Sequence, residues 1–277
     1  MRISRRRLLH SIAATGIGLG TGTLAYGALY ERHQLTLARH TVTLQACPSA
    51  LDGLTFGLIT DVHHSATLSA SAIDAAVQLL QEQAPDIVML GGDYVSFGDR
   101  RFLEPALERL APLARAPHGA FAVLGNHDDE RETATAMKRA GLTLLRDERT
   151  RLTIRGESID LVGLRFWTRR AQELSPVVRG AGALSIMLAH DPRRVLEADR
   201  FGIPLVLSGH THGGQILLPG ARAVVGRKFP VLSGMATHGR AQVCVSRGVG
   251  TVYLPVRINC PPDVSLVTLR SAAAVGV

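Results

Sequence analysis

Hydrophobic and polar positions switch between two periods along this chain, and from residue 54 onward the switching itself repeats. Residues 54–60 form a short apolar run that reads as a strand and ends at Asp61-Val62-His63-His64. A helix follows, with Ser69 or Ser71 available as its cap and Ile73, Ala76, Val77 and Leu80 on its apolar face. Residues 86–90 are the next strand, ending at Gly91-Gly92-Asp93-Tyr94, and a helix over about 102–113 returns the chain. Residues 120–124 are the third, ending at Gly125-Asn126-His127-Asp128, before a helix over about 130–140.

Beyond residue 149 the period shortens toward two. Residues 152–154 and 159–164 predict a hairpin around Gly156, and 184–189 a strand ending at His190-Asp191-Pro192. Residues 204–207 are another apolar run, closed by Ser208-Gly209-His210-Thr211-His212-Gly213-Gly214-Gln215. A stretch rich in Gly and Pro runs on to residue 236, and strands are expected at 242–246 and 265–269. Such β and α alternation predicts an α/β fold with a substantial sheet, in one domain over residues 51–277. Residues 31–50 read as a linker and an edge strand, with 41–44 alternating.

The first thirty residues follow other rules. Ser4-Arg5-Arg6-Arg7-Leu8-Leu9 leads into an uncharged run rich in Gly, Ala and Thr, the pattern of a twin-arginine export signal. Residues 1–30 are therefore expected to be a signal or an N-terminal membrane anchor outside the fold; 8–30 are enough to span about 30 Å of hydrocarbon. The arginines would stay in the cytoplasm and the rest of the chain would lie outside. That location, periplasmic or anchored to the membrane, makes the twin-arginine translocation machinery and the cytoplasmic membrane expected partners. The segment also explains most of the formal charge of +8, because residues 1–40 hold six arginines against one glutamate. The remaining body is nearly balanced, so no nucleic-acid partner is implied. Cys47, Cys244 and Cys260 are too scattered for a zinc-cysteine site or a disulfide framework.

Five strands thus stop at polar clusters: Asp61/His63, Asp93, Asn126/His127, His190 and His210/His212. Functional groups at the carboxyl ends of sheet strands are what an α/β site looks like. In extended backbone, residues two apart face one side, so His210 and His212 can aim at one place. The donors are carboxylate, imidazole and amide without thiolate, which suits Mn, Fe or Zn. Seven ligands exceed one tetrahedral ion and fit two, with Asp93 the natural bridge.

Asp61-x-His63, Gly92-Asp93, Gly125-Asn126-His127-Asp128, His190 and Gly209-His210-x-His212 resemble, in order and spacing, the five signature blocks of calcineurin-like metallophosphoesterases. Ser246–Gly250, with Leu254-Pro255-Val256-Arg257 and Asn259-Cys260-Pro261-Pro262, resembles the exported, twin-arginine-linked bacterial branch of that family. The resemblance implies a four-layer αββα sandwich and a phosphodiesterase that hydrolyses phosphoesters through a metal-bridging hydroxide. It assigns Asp61, His63 and His212 to one divalent metal, Asn126, His190 and His210 to the other, and Asp93 to both. It makes His127 a proton donor to the leaving oxygen or a stabiliser of the transition state, with Asp128 expected to orient its imidazole. Two alternatives stay open: a pyrophosphohydrolase of a nucleotide-linked lipid such as UDP-diacylglucosamine, and an inactive metal-binding scaffold. His64 is expected outside the ligand set. His238 and Arg247 are candidates to touch substrate, with solvent exposure the alternative for His238, and Phe166 and Trp167 are set either along the cleft or in an ordinary core or surface role.

Overall fold

The computed structural model describes residue 18 and residues 20–168, 171–217 and 228–275. Residues 20–29 form helix α1, and among the described residues no helix is long and apolar enough to cross a membrane. The arginine motif at residues 4–9, and with it most of the expected export signal, lies outside the described residues.

Strands β1 (Thr36–Leu44), β2 (Thr55–Ile59), β3 (Ile87–Leu90), β4 (Ala120–Ala122) and β5 (Thr143–Leu144) lie in one sheet, completed by β12 (Asp263–Ser271). Their order is β1-β12-β2-β3-β4-β5. Strands β6 (Glu148–Ile154), β7 (Glu157–Leu164), β8 (Ser185–Ala189), β9 (Leu205–Ser208), β10 (Gly234–His238) and β11 (Ala241–Val245) form the second, in the order β10-β11-β9-β8-β7-β6. Helices α2 (Ala70–Gln81), α3 (Leu103–Leu110) and α4 (Glu130–Arg139) cover the first sheet. Helices α5 (Ala171–Val178) and α6 (Val195–Phe201) cover the second, and α7 (Ala272–Val275) follows β12.

Alternation along the central strands explains the four layers. On β3, Ile87 and Met89 enter the core between the sheets, while Val88 and Leu90 pack toward α2 and α3. On β8, Ile186 and Leu188 join the same inter-sheet core, and Met187 and Ala189 face the cluster that includes α6. Strands buried on both faces read as unbroken apolar runs, which is why β2, β3, β8 and β9 are visible in sequence. The result is the expected αββα sandwich.

Local differences have local causes. The β6–β7 hairpin is antiparallel as expected, and Arg155 and Gly156 both adopt positive φ at its turn, 51° and 83°. Ser69 precedes α2 but makes no capping bond, because its hydroxyl pairs with Ser71 Oγ at 2.9 Å. The helix expected over 102–113 divides into α3 and a 3₁₀ turn, Ala111–Arg115, with Pro112 at the junction. Strand β10, paired antiparallel with β11, was hidden within the Gly/Pro-rich stretch.

Candidate metal centre

The carboxyl ends of β2, β3, β8 and β9, with the loop after β4, meet along one rim, and the expected residues meet with them. Asp61, His63 and His212 form one group whose candidate ligand atoms lie within 4.8 Å of one another. Asp93, His190 and His210 form another, and His63, Asp93 and His127 a third that joins them. His210 and His212 therefore do not share one target. The strand ends at Ser208, and both histidines sit in a turn with φ of 71° and 51°, so extended alternation does not apply.

Positive φ is a feature of the whole rim: Asp61, His63 and Asp93 adopt 51°, 47° and 57°. Left-handed backbone costs an L-residue about 1–3 kcal/mol and persists where the surroundings over-determine it. Hydrogen bonds supply that determination. The Asp61 and His63 amides donate to the Gly92 and Asp93 carbonyls at 2.9 Å each, and the His210 amide donates to Asp61 Oδ2 at 2.9 Å. The loops also approach too closely for side chains: a Cβ at Gly125 would collide with Asp93 Oδ1, and one at Gly209 with Asp61 Oδ2.

The donor set fits two divalent cations. His63 Nε2 and His212 Nε2 face each other at 3.1 Å, as do His190 Nε2 and His210 Nδ1. Two nitrogens on one ion at about 2.0–2.1 Å stand about 2.9–3.4 Å apart in octahedral or tetrahedral arrangement. His190 Nδ1 is 2.8 Å from the Gly91 carbonyl and His63 Nδ1 is 3.3 Å from Ser96 Oγ, which leaves each Nε2 toward the centre. Asn126 Oδ1 is buried without a hydrogen-bond partner, a cost that a hard cation would remove.

Charge points the same way. Burial drives the His212 imidazole down to about 3, and burial with repulsion from His190 drives His210 down to about 4, so both offer lone pairs. Burial also opposes a proton on His190, but Asp93 and Asp61 more than reverse it and lift the ring to about 10. Two buried carboxylates thus call for positive charge, which divalent metal supplies.

The residues named in sequence divide into those at the centre and those beside it. His127 lies at the rim, half-buried, and its Nδ1 accepts the Phe97 amide at 3.0 Å. Asp128 does not orient that ring. Its buried carboxylate instead receives the backbone N–H groups of Asp93 and Gly125 on Oδ2 and of Tyr94 on Oδ1, at 2.8–2.9 Å. It therefore holds the β3 and β4 loops in register. His64 turns away, its Nδ1 3.1 Å from the Leu68 carbonyl oxygen. His238 is exposed on β10, and Arg247 is tied to Asp263 at 2.7 Å. The Phe166 ring lies 5.3 Å from His210 and 5.8 Å from His190, so it walls the second group, with Trp167 more exposed beside it.

One supporting residue lies outside the five signature blocks and had no role assigned from sequence. Arg257 is fully buried and, among the described residues, has no carboxylate in ion-pair reach. Its Nη1 donates to the Cys260 carbonyl at 3.1 Å and its Nη2 to the carbonyls of Arg247, Gly248 and Gly250. The Cys260 thiol donates to the His212 carbonyl at 3.2 Å, and the Gly250 amide to the Asp61 carbonyl at 2.7 Å. Arg257 thus clamps a strap, residues 246–260, against two ligand-bearing turns. Helix α1 ends on the same clamp, where the Arg257 amide donates to the Gly27 carbonyl at 3.1 Å. All three cysteines are free and buried.

Comparison with known proteins places these features in a family. The family model described as calcineurin-like phosphoesterase matches residues 54–214. The phosphodiesterase YaeI of Escherichia coli is 33% identical over 96% of this chain and 99% of its own length. An uncharacterised metallophosphoesterase of Bacillus subtilis, YkuE, is 26% identical over 98% of this chain and 99% of its own. Among solved structures, the Thermus thermophilus sulfate thiohydrolase SoxB shares the fold with a TM-score of 0.50. It is 11% identical over 79% of this chain and 57% of that one. With the matched segment covering more than half of its residues, the chain belongs to the calcineurin-like phosphoesterases and is a metal-dependent phosphoester hydrolase.

Proposed function

We propose that this chain is a phosphodiesterase working outside the cytoplasmic membrane with two divalent cations. The observation that carries the reading is one shared oxygen: Asp93 Oδ2 lies 3.4 Å from His63 Nε2 and 3.2 Å from His190 Nε2. Asp61, His63 and His212 would hold one ion, Asn126, His190 and His210 the other, and Asp93 both. Mn, Fe and Zn all fit this donor set. When bound, the ions supply Lewis-acid charge at the phosphoryl oxygens and a nucleophile at neutral pH.

The remaining work falls to side chains of the rim. The Phe97 amide occupies His127 Nδ1, so the neutral ring carries its proton on Nε2. Burial lowers the His127 pKa and favours that neutral form at physiological pH. His127 is then placed to donate an Nε2–H hydrogen bond to the leaving oxygen, stabilising the negative charge that develops there. The Phe166 ring beside His190 and His210 narrows the opposite side of the rim and limits water there.

Similarity to a relative named as a phosphodiesterase supports a diester substrate. The arginine motif at Ser4-Arg5-Arg6-Arg7 supports export by the twin-arginine route, with residues 1–30 as signal or anchor. Metal-loaded protein should turn over bis-p-nitrophenyl phosphate at least tenfold faster, in kcat/KM, than p-nitrophenyl phosphate. A preference for the monoester would count against the diesterase.

A further inference from the structure

Beside the metal centre, on the side of His63 and His127, lies an open cleft of ≈ 620 Å³. Two of its lining residues contact the centre directly: Ser96 Oγ is 3.3 Å from His63 Nδ1, and the Phe97 amide donates to His127 Nδ1. Phe97, Phe102, Tyr253, Leu254 and Pro255 supply apolar walls.

The aromatic pair at its mouth is unusual in two respects. Phe97 and Tyr253 are 67% and 79% exposed, and Leu254 next to them is 58% exposed, so the fold does not bury these rings. Both aromatics also adopt left-handed backbone, with φ of 54° and 60°, although their ring centroids stand only 5.7 Å apart. A bulky residue in that region is strained by about 1–3 kcal/mol. Folding gains little from strained backbone that presents aromatic rings to water. A ligand that covers the rings would supply the missing gain.

The cleft also lacks available charge. The charged lining residues, Asp99 and Arg101, are paired with each other at 2.7 Å and 3.0 Å. The hydroxyls of Ser65 and Thr67 are bonded together at 3.1 Å. A leaving group that carries its own phosphate or carboxylate finds no unpaired cation among these residues.

We infer that this cleft is the leaving-group subsite and that it selects an uncharged aryl or alkyl alcohol. The inference rests on the phosphodiesterase reading and on His127 as the hydrogen-bond donor to the leaving oxygen. Water adds its oxygen to phosphorus as the P–O bond to the alcohol breaks. The departing oxygen leaves under a hydrogen bond from His127 Nε2–H and takes up the proton released by the attacking water, and a phosphomonoester remains. The freed alcohol lies against Phe97, whose ring is 4.9 Å from that of His127, and leaves past Tyr253.

A series of methyl 4-alkylphenyl phosphates tests this on the full-length, Mn-loaded protein, because lengthening the alkyl group hardly alters the phenol's leaving ability. kcat/KM should rise about two- to fourfold per methylene from methyl to butyl, the range between partial and full burial. The 4-(2-carboxyethyl)phenyl counterpart should fall at or below unsubstituted phenyl. Phe97→Asn and Tyr253→Asn, chosen because Asn tolerates left-handed backbone, should each flatten the series. A flat series in the wild type, with methyl phenyl phosphate still hydrolysed, overturns the subsite and leaves the phosphodiesterase standing. A rise that both variants preserve overturns it as well. Absence of hydrolysis throughout the series overturns the diesterase reading and the subsite together.

Discussion

His127 shows how a backbone group can decide the role of a side chain. The Phe97 amide at its Nδ1 leaves the proton of the neutral ring on Nε2, and neither nitrogen depends on a carboxylate partner. His127→Ala should therefore retain both metals while hydrolysis falls by about two or more orders of magnitude, checked by metal content beside turnover. Loss of metal in that variant would refute the role. Asp128 belongs to the other kind of residue. Removing an acceptor of three backbone N–H groups costs on the order of 2–4 kcal/mol, so Asp128→Ala should lower the melting temperature and the metal content together. A fall in kcat at unchanged stability would return Asp128 to His127. Sequence singled out the residues that meet at the rim because each follows an apolar run. It misplaced Asp128 because neighbours in sequence at a tight turn need not face each other.

At the scale of elements, the site depends on how turns are fastened to strands. The apolar runs of β2, β3, β8 and β9 were legible because both faces are buried. The geometry of the turns that follow was not legible, since no residue type announces that His210 and His212 adopt left-handed backbone. Strand β10 escaped notice among glycines and prolines, where only pairing with β11 defines it. Arg257 belonged to a block that carried a resemblance but no role; its signal was a lone cation between apolar Val256 and Ile258. With its guanidinium gone, the strap would lose its hold on the carbonyls of Arg247, Gly248 and Gly250. Arg257→Met should loosen the ion proposed at Asp61, His63 and His212 before the other, read by metal titration. Equal loss from both positions would contradict a clamp local to the first.

Strand β7 offers a test independent of the site. Asp160 accepts both Arg151 Nε and Nη2, at 2.7 Å and 3.0 Å, and the Gly182 amide at 2.7 Å. The Arg151 bond holds its carboxyl below the ordinary 3.8 despite burial. A depressed folded value means that its stabilisation is complete above the unfolded value and fades as pH falls through the folded one. Asp160→Asn should therefore unfold about 1–3 kcal/mol more easily at pH 7, with the gap from wild type closing below pH 4. A gap independent of pH would show that shape rather than charge matters there.

The whole molecule joins two sheets whose strand ends share one rim, and this arrangement lets residues as distant as Asp61 and His212 meet. The repeated strand-and-helix periods made an α/β fold with a substantial sheet legible and the motif resemblance implied its four layers, but the strand order within each sheet depends on long-range pairing. The location of the molecule is argued from its first residues. If the export reading holds, Arg5→Lys with Arg6→Lys should trap the protein in the cytoplasm; unchanged fractionation would sink it. Two ions are proposed to share Asp93, and metal stoichiometry in Asp93→Ala tests that sharing. Wild-type protein should hold two equivalents of Mn and hydrolyse bis-p-nitrophenyl phosphate, and the variant should release both ions together and lose turnover. One equivalent retained by the variant would contradict the shared carboxylate.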